Sequence, residues 1–161
     1  MEKAVTRSAN PDMFIIERDF DHPLSLLYWA FTDLPAKREW YGGEGSWEVT
    51  DHSLDFHVGG HELWRGRPSP EANWMTSDTA YYDILPDERL ILGFIMTMDG
   101  KLFTASQQIL EFSAKGAGSH LKLTEQIIYV DGIDHPEDRR KGTNDMMETL
   151  NTYLNTVKEK A

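Results

Sequence analysis

RLILGFIMTMDGKLFTASQQILEF, residues 89–112, is the stretch whose reading decides the fold. Leu90, Leu92, Phe94, Met96 and Met98 occupy alternate positions, the period of a strand with one face turned to a core. Asp99-Gly100 follows, a two-residue hairpin signal because glycine readily supplies the positive φ such turns need. Leu102 to Phe112 then returns as the second strand. Working upstream, Thr76 to Leu85 reads as a strand turned back by Pro86-Asp87-Glu88. Before it come Ser46 to Val58, with Leu54, Phe56 and Val58 alternating, a Gly59-Gly60 turn, and a strand carrying Leu63 and Trp64. Arg67 to Asn73, with Pro68 and Pro70, is a loop.

Downstream, Gly116 and Gly118 mark a loop before a last strand, Leu121 to Val130, whose apolar face Glu125 interrupts. The period then changes. Met146 or Met147, Leu150, Tyr153, Leu154 and Val157 recur at helical spacing, and the helix should run from about Pro136 to Lys158, roughly 35 Å. Asp134 and Glu137 have capping-box spacing at its start. Gly142 inside it costs about 1 kcal/mol relative to alanine, so a close packing contact or a kink is expected there.

The N-terminal part completes the order. Residues 1–12 are expected to form a flexible, polar lead-in, followed by one domain over residues 13–161. Met13 to Phe20 is a strand. Pro23 opens a helix on which Leu24, Leu27, Tyr28 and Phe31 share a face. A short second helix, Ala36 to Trp40, runs into the loop Tyr41-Gly42-Gly43-Glu44-Gly45. Strand, two helices, six strands and a long helix imply an α+β domain with an antiparallel sheet of about six or seven strands. The long helix must bury its stripe, and the concave face of the twisted sheet is the available surface. A curved sheet and a straight helix fit imperfectly, so a cavity between them is expected.

Composition narrows the function. A net charge of −11 and a pI near 4.9 argue against nucleic acid and against anionic membrane surfaces, which are bound through basic clusters. The chain has no cysteine, so disulfides, thiolate chemistry and cysteine-ligated zinc are excluded. The first fourteen residues hold no apolar run and no segment reaches the ~20 apolar residues of a membrane span, so a cytoplasmic location is expected.

Several blocks resemble a known family. Phe20-Asp21-His22-Pro23 through Trp29-Ala30-Phe31-Thr32-Asp33 is the first. Arg38-Glu39-Trp40-Tyr41-Gly42, His57-Val58-Gly59-Gly60 and Leu85-Pro86-Asp87-Glu88-Arg89-Leu90 are the next three, and Gly142 through Met147, Leu150 and Tyr153-Leu154 closes the series. In order and spacing they resemble the SRPBCC, or START-like, superfamily, in the branch similar to the C-terminal domain of the Hsp-90 chaperone ATPase activator. The resemblance covers Met13 to Leu154 and implies a helix-grip (Bet v-like) fold. His57 stands where that family usually has arginine, and Thr143 where it often has tryptophan; the second departure alters the expected cavity lining. The additional N-terminal domain of eukaryotic activators is not expected here.

The candidate ligand-binding residues are Trp40, Trp64, Tyr81, Phe94, Met96, Glu125, Met147 and Leu150. Trp40, Trp47, Trp64, Trp74, Tyr81 and Tyr82 are large aromatics that can stack on a planar ligand or simply fill the core. Leu92, Phe94, Met96 and Met98 can form an adaptable apolar wall. Glu125 either faces the cavity, as a polar contact or an acid–base group, or pairs with a neighbour such as Arg65 or His61, or the strand is phased the other way there. His52, His57 and His61 read as exposed strand histidines, with no metal implied. No motif for a phosphate loop, nucleophile elbow, zinc protease or dinucleotide is present, and no cofactor is implied. The expected function is binding of a small hydrophobic or amphipathic molecule. The alternatives left open are a co-chaperone-like protein and a cyclase- or hydrolase-type enzyme using Glu125.

Overall fold

The computed structural model describes residues 6–42 and 45–160. Strand β1 (Ala9–Phe20) leads into helices α1 (Leu24–Thr32) and α2 (Leu34–Arg38). Strands β2 (Glu48–Leu54), β3 (His61–Arg67), β4 (Met75–Leu85), β5 (Arg89–Met98), β6 (Lys101–Lys115) and β7 (Gly118–Val130) follow, and α3 (Pro136–Lys160) ends the chain. The seven strands form one antiparallel sheet in the order β1-β7-β6-β5-β4-β3-β2. Only β1 departs from sequential order. After two helices and six consecutive antiparallel strands, β7 ends beside the strand that began the chain.

The elements follow the local chemistry with some shifts. Asp99 (φ 49°) and Gly100 (φ 80°) form the β5–β6 turn with both residues left-handed, as a hairpin of right-twisted strands requires. Asp33 caps α2 by accepting from Ala36 N–H at 3.1 Å, so that helix starts at Leu34, two residues earlier than the sequence pattern placed it. β1 begins at Ala9, taking in four residues expected in the lead-in, while residues 1–5 lie outside the described residues, as do Gly43 and Glu44 of the glycine loop. β2 is shorter than expected because the chain turns through Asp55–Gly60, leaving Val58 exposed.

The concave face of the sheet carries the core, and register lays its side chains in rows. Phe14, Glu125, Gln108, Leu92 and Tyr81 are successive partners across β1, β7, β6, β5 and β4. The adjacent row is Ile127, Ser106, Phe94, Thr79 and Glu62, and the next Tyr129, Thr104, Met96, Ser77, Trp64 and His52. α3 is moored against this face at two places. Its C-terminal half buries Met147, Leu150 and Leu154 in one cluster with Leu27, Ala30 and Phe31 of α1, and Asn155 bonds His22 at 2.8 Å. Nearer its start, Arg139 reaches the sheet.

One expectation about α3 is corrected, and of the two alternatives at Gly142 the close contact falls away. Asp134 makes no capping-box bond; its carboxylate takes His135 N–H at 2.8 Å and Arg139 Nε at 3.1 Å. Gly142 has no close packing contact, since a Cβ built there would meet nothing within 4 Å.

Candidate functional site

Between the concave face and α3 lies a cavity of about 760 Å³. That lies within the range of small-molecule sites, roughly 300–1,000 Å³. Its floor mixes polar and apolar side chains. Gln108, from β6, and Glu125, from β7, are polar. Leu92, Phe94 and Met96 of β5 are apolar, and Ser77 and Thr79 of β4 are polar again. The roof comes from α3 through Thr143, Met146 and Met147, and one wall from Trp40 and Tyr41 just beyond α2.

Two buried carboxylates face this space, one near each end. Glu62 on β3 is 1% exposed. Lys37 Nζ donates to its Oε1 at 2.6 Å, Tyr81 OH donates to the same oxygen at 2.6 Å, and His52 Nε2 lies 2.8 Å from Oε2. Lys37 Nζ also stands 4.7 Å from the centre of the Tyr41 ring, a cation–π contact. Burial works to raise the Glu62 carboxyl, but the Lys37 charge and the bonds from His52, Lys37 and Tyr81 outweigh it and hold the group at about 2. Burial first, and the Glu62 charge second, push the phenols of Tyr41 and Tyr81 well above their ordinary value.

Glu125 on β7 is likewise 1% exposed. It accepts from Ser106 Oγ at 3.0 Å, Gln108 Nε2 at 2.6 Å and Arg139 Nη1 at 3.2 Å. Arg139 also donates to Thr104 Oγ1 at 2.8 Å, so one guanidinium joins α3 to β6, β7 and Asp134. Here burial wins over the three donors, and the Glu125 carboxyl stays above its ordinary range. The two acids therefore differ. The ammonium of Lys37 holds the Glu62 carboxyl low, whereas burial holds that of Glu125 above its ordinary range.

Trp40, Trp64, Tyr81, Phe94, Met96, Glu125 and Met147 all line the cavity, and Leu150 lies in the core under α3. Trp40 is anchored by Nε1 donating to Ala30 O at 3.0 Å. Of the remaining aromatics, Trp47 also lines the cavity. Trp74 instead stacks under Arg65 and Arg67, at 3.7 and 4.1 Å from ring centre to guanidinium. Tyr82 is exposed on the convex face, its ring over Gly93. Glu125 has neither Arg65 nor His61 as partner. Those residues belong to β3, four strands away, and His61 bonds Asp78 on the outside at 2.8 Å.

His57 is exposed against Asp55, but His52 is buried, which corrects its reading as an exposed strand histidine. Among the described residues no group of three or more His, Asp or Glu is arranged to hold a metal ion.

Sequence reasoning missed Lys37, Glu62, His52 and Arg139 as parts of this site. Two signals could have found some of them. Alternation along β3 places Glu62, Trp64 and Gly66 on one face, so backing Trp64 as a lining residue commits Glu62 to the same side. Extending the α3 stripe backward from Leu150 and Met147 through Thr143 reaches Arg139 by steps of three and four.

Residues 21–159 match the model of the family described as "Activator of Hsp90 ATPase homolog 1-like protein". Among solved structures, an uncharacterized protein from Rhizobium leguminosarum is 29% identical, with a TM-score of 0.88 over 94% of this chain and 99% of that one. The Mll3558 protein from Rhizobium loti is 30% identical, with a TM-score of 0.82 over 91% of this chain and 99% of that one. An AHSA1-like protein from Aeromonas hydrophila, 15% identical, shares the fold at a TM-score of 0.68, covering 91% and 94% of the two chains. No curated protein matches.

Proposed function

From the premise that the chain belongs to the family of Activator of Hsp90 ATPase homolog 1-like proteins, we propose that it binds a small hydrophobic or amphipathic molecule between the sheet and α3. The cavity of about 760 Å³ carries this reading. Its β5 floor and methionine-bearing roof offer an adaptable apolar surface, and its buried polar groups are few and held in place, the usual make-up of a small-molecule site. The candidate ligand contacts are Trp40, Trp64, Tyr81, Phe94, Met96, Glu125 and Met147. In this reading Glu125 is primarily the anchor that receives Arg139 and holds α3 over the ligand. A cytoplasmic setting belongs to the same proposal; no helix among the described residues is long and apolar enough to cross a membrane.

The test is native mass spectrometry and thermal shift with a panel of apolar compounds, on the wild type and on Thr143→Trp. Thr143 is buried in the cavity roof, so an indole there occupies ligand space. Binding should fall at least tenfold in the variant while it stays folded. A wild type that binds nothing across the panel sinks the proposal.

A second reading, docking onto a chaperone of the Hsp-90 type, has one observation in its favour beyond the family description. The convex face bears Ile15, Tyr82, Ile95 and Ile128, each more than two-fifths exposed. Ile95→Glu should abolish any stimulation of chaperone ATPase activity without affecting ligand binding, and a wild type that stimulates no ATPase at low salt dismisses it.

A further inference from the structure

The buried charges of the cavity are occupied with one another. Glu62 is matched by Lys37 at 2.6 Å and Glu125 by Arg139 at 3.2 Å. Lys37 also contacts Tyr81 OH and the Tyr41 ring, and Arg139 also bonds Asp134, Thr104 and Met96. A charged ligand group would be desolvated among these pairs without a counter-charge, which selects for an uncharged molecule.

Gln108 differs, because only one end of its amide is engaged. It stands on β6 between Glu125 of β7 and Leu92 of β5, its register partners, and is partly buried in the cavity floor. Its Nε2 donates to Glu125 Oε1 at 2.6 Å, while no donor among the described residues reaches its Oε1.

Glu125 fixes which end is which. Paired with a guanidinium, this carboxylate has only lone pairs to offer. It takes an N–H from Gln108 on one oxygen, while Ser106 Oγ and Arg139 Nη1 share the other. Turning the Gln108 amide over would set oxygen against oxygen. Gln108 Oε1 is therefore turned away from Glu125, with lone pairs and no proton. Leu92, Leu110 and Leu123 border the cavity around Gln108, so the rest of a ligand there meets an apolar surface.

Building on the ligand-binding reading above, we infer that the cavity recognises an uncharged, largely apolar molecule carrying a hydroxyl or N–H group that donates to Gln108 Oε1. Gln108 is the contact, and Glu125 is the residue that positions it. The donor lies at the middle of the floor, and the apolar body lies over β5 beneath α3.

Three matched probes test it by isothermal titration calorimetry: diphenylmethanol, whose hydroxyl donates, benzophenone, whose oxygen only accepts, and diphenylmethane, which has neither. Wild type should bind diphenylmethanol about tenfold tighter than benzophenone, the difference between one neutral hydrogen bond and two acceptors set face to face. Gln108→Met keeps the length of the side chain and removes the amide. Diphenylmethanol should then weaken until the two probes bind within about threefold. Glu125→Gln presents an N–H to Gln108, whose amide turns over and offers its own N–H to the cavity. Benzophenone should then tighten, closing the gap from the other side to within about threefold. Diphenylmethane should move less than about threefold in both variants, which separates loss of the contact from loss of the cavity. A thermal melt shows that each variant is folded, and the wild-type ratio decides without either. Equal affinity of diphenylmethanol and benzophenone for the wild type overturns this inference and leaves the cavity reading standing, as does a preference that survives Gln108→Met. A ratio unmoved by Glu125→Gln overturns the positioning role of Glu125, and no binding of any of the three probes overturns both readings.

Discussion

Lys37→Met isolates the buried Lys37–Glu62 ion pair. In the wild type Glu62 is buried, and its carboxyl drops from the ordinary 4.5 to about 2 on folding. At about 1.4 kcal/mol per pH unit, that difference corresponds to about 3 kcal/mol of stability at neutral pH. Because the folded value is the lower one, the contribution is fully present above about pH 4.5 and is lost as pH falls toward 2. Removing the ammonium leaves a carboxylate 1% exposed with only His52 and Tyr81 as donors. Breaking a buried pair from one side typically costs ~3–5 kcal/mol, and the cost expected here is at the lower end of that range.

The pH dependence should also change sign. With Lys37 gone, burial dominates and raises the Glu62 carboxyl above its unfolded value, so protonation on moderate acidification relieves the penalty. Relative to wild type, Lys37→Met should therefore recover stability between pH 7 and pH 5. Lys37→Met/Glu62→Gln should recover at least half the loss at pH 7, since an amide is cheaper to bury than a lone charge. Urea unfolding followed by tryptophan fluorescence at both pH values measures all of this. A Lys37→Met cost below about 1 kcal/mol, or a double variant no more stable than the single one, refutes the account of Glu62 as a carboxylate held charged by its ammonium.

Arg139→Met should loosen the start of α3, read as faster amide exchange over residues 136–142 with residues 147–154 unchanged. Glu125→Gln should cost about 1–3 kcal/mol in chemical denaturation, because the single amide oxygen can accept from Ser106 and Arg139 while the amide nitrogen meets the Gln108 donor. Gly142→Ala should stabilise by about 1 kcal/mol and raise the melting temperature, since the added Cβ meets nothing within 4 Å. Gly42→Ala should do the opposite, by about 1–3 kcal/mol, because φ there is +83° and the Cβ would strike Trp64 Nε1.

Local patterns in the chain carried the element order because they depend on neighbours in sequence. Alternation through Leu90–Met98, paired turn residues at Asp99-Gly100 and helical spacing from Met147 to Leu154 each act within about ten residues. The boundaries that moved are those set by contacts from elsewhere. β1 reaches back to Ala9 because β7 offers Val130 as its partner. The capping box at Asp134 fails because Arg139, drawn toward Glu125, takes one of its carboxylate oxygens.

The candidate site divides along the same line. Part of its apolar lining was legible: alternation marked the face of Phe94 and Met96 and helical spacing that of Met147, and all three border the cavity. Its polar half was not. Lys37 lies on a five-residue helix with too little periodicity to point anywhere, and Glu62 stands between His61 and Leu63 with no local sign of a partner 25 positions earlier. Periodicity says which face a side chain takes; it does not say what stands opposite, because that partner is chosen by strand order. The sequence by itself therefore determined a sheet, a long helix and an apolar interface between them. Only the tertiary structure decided that Glu62 is charged and that Glu125 holds α3 through Arg139. Burial sets the energy of each of these groups, and burial belongs to the assembled fold.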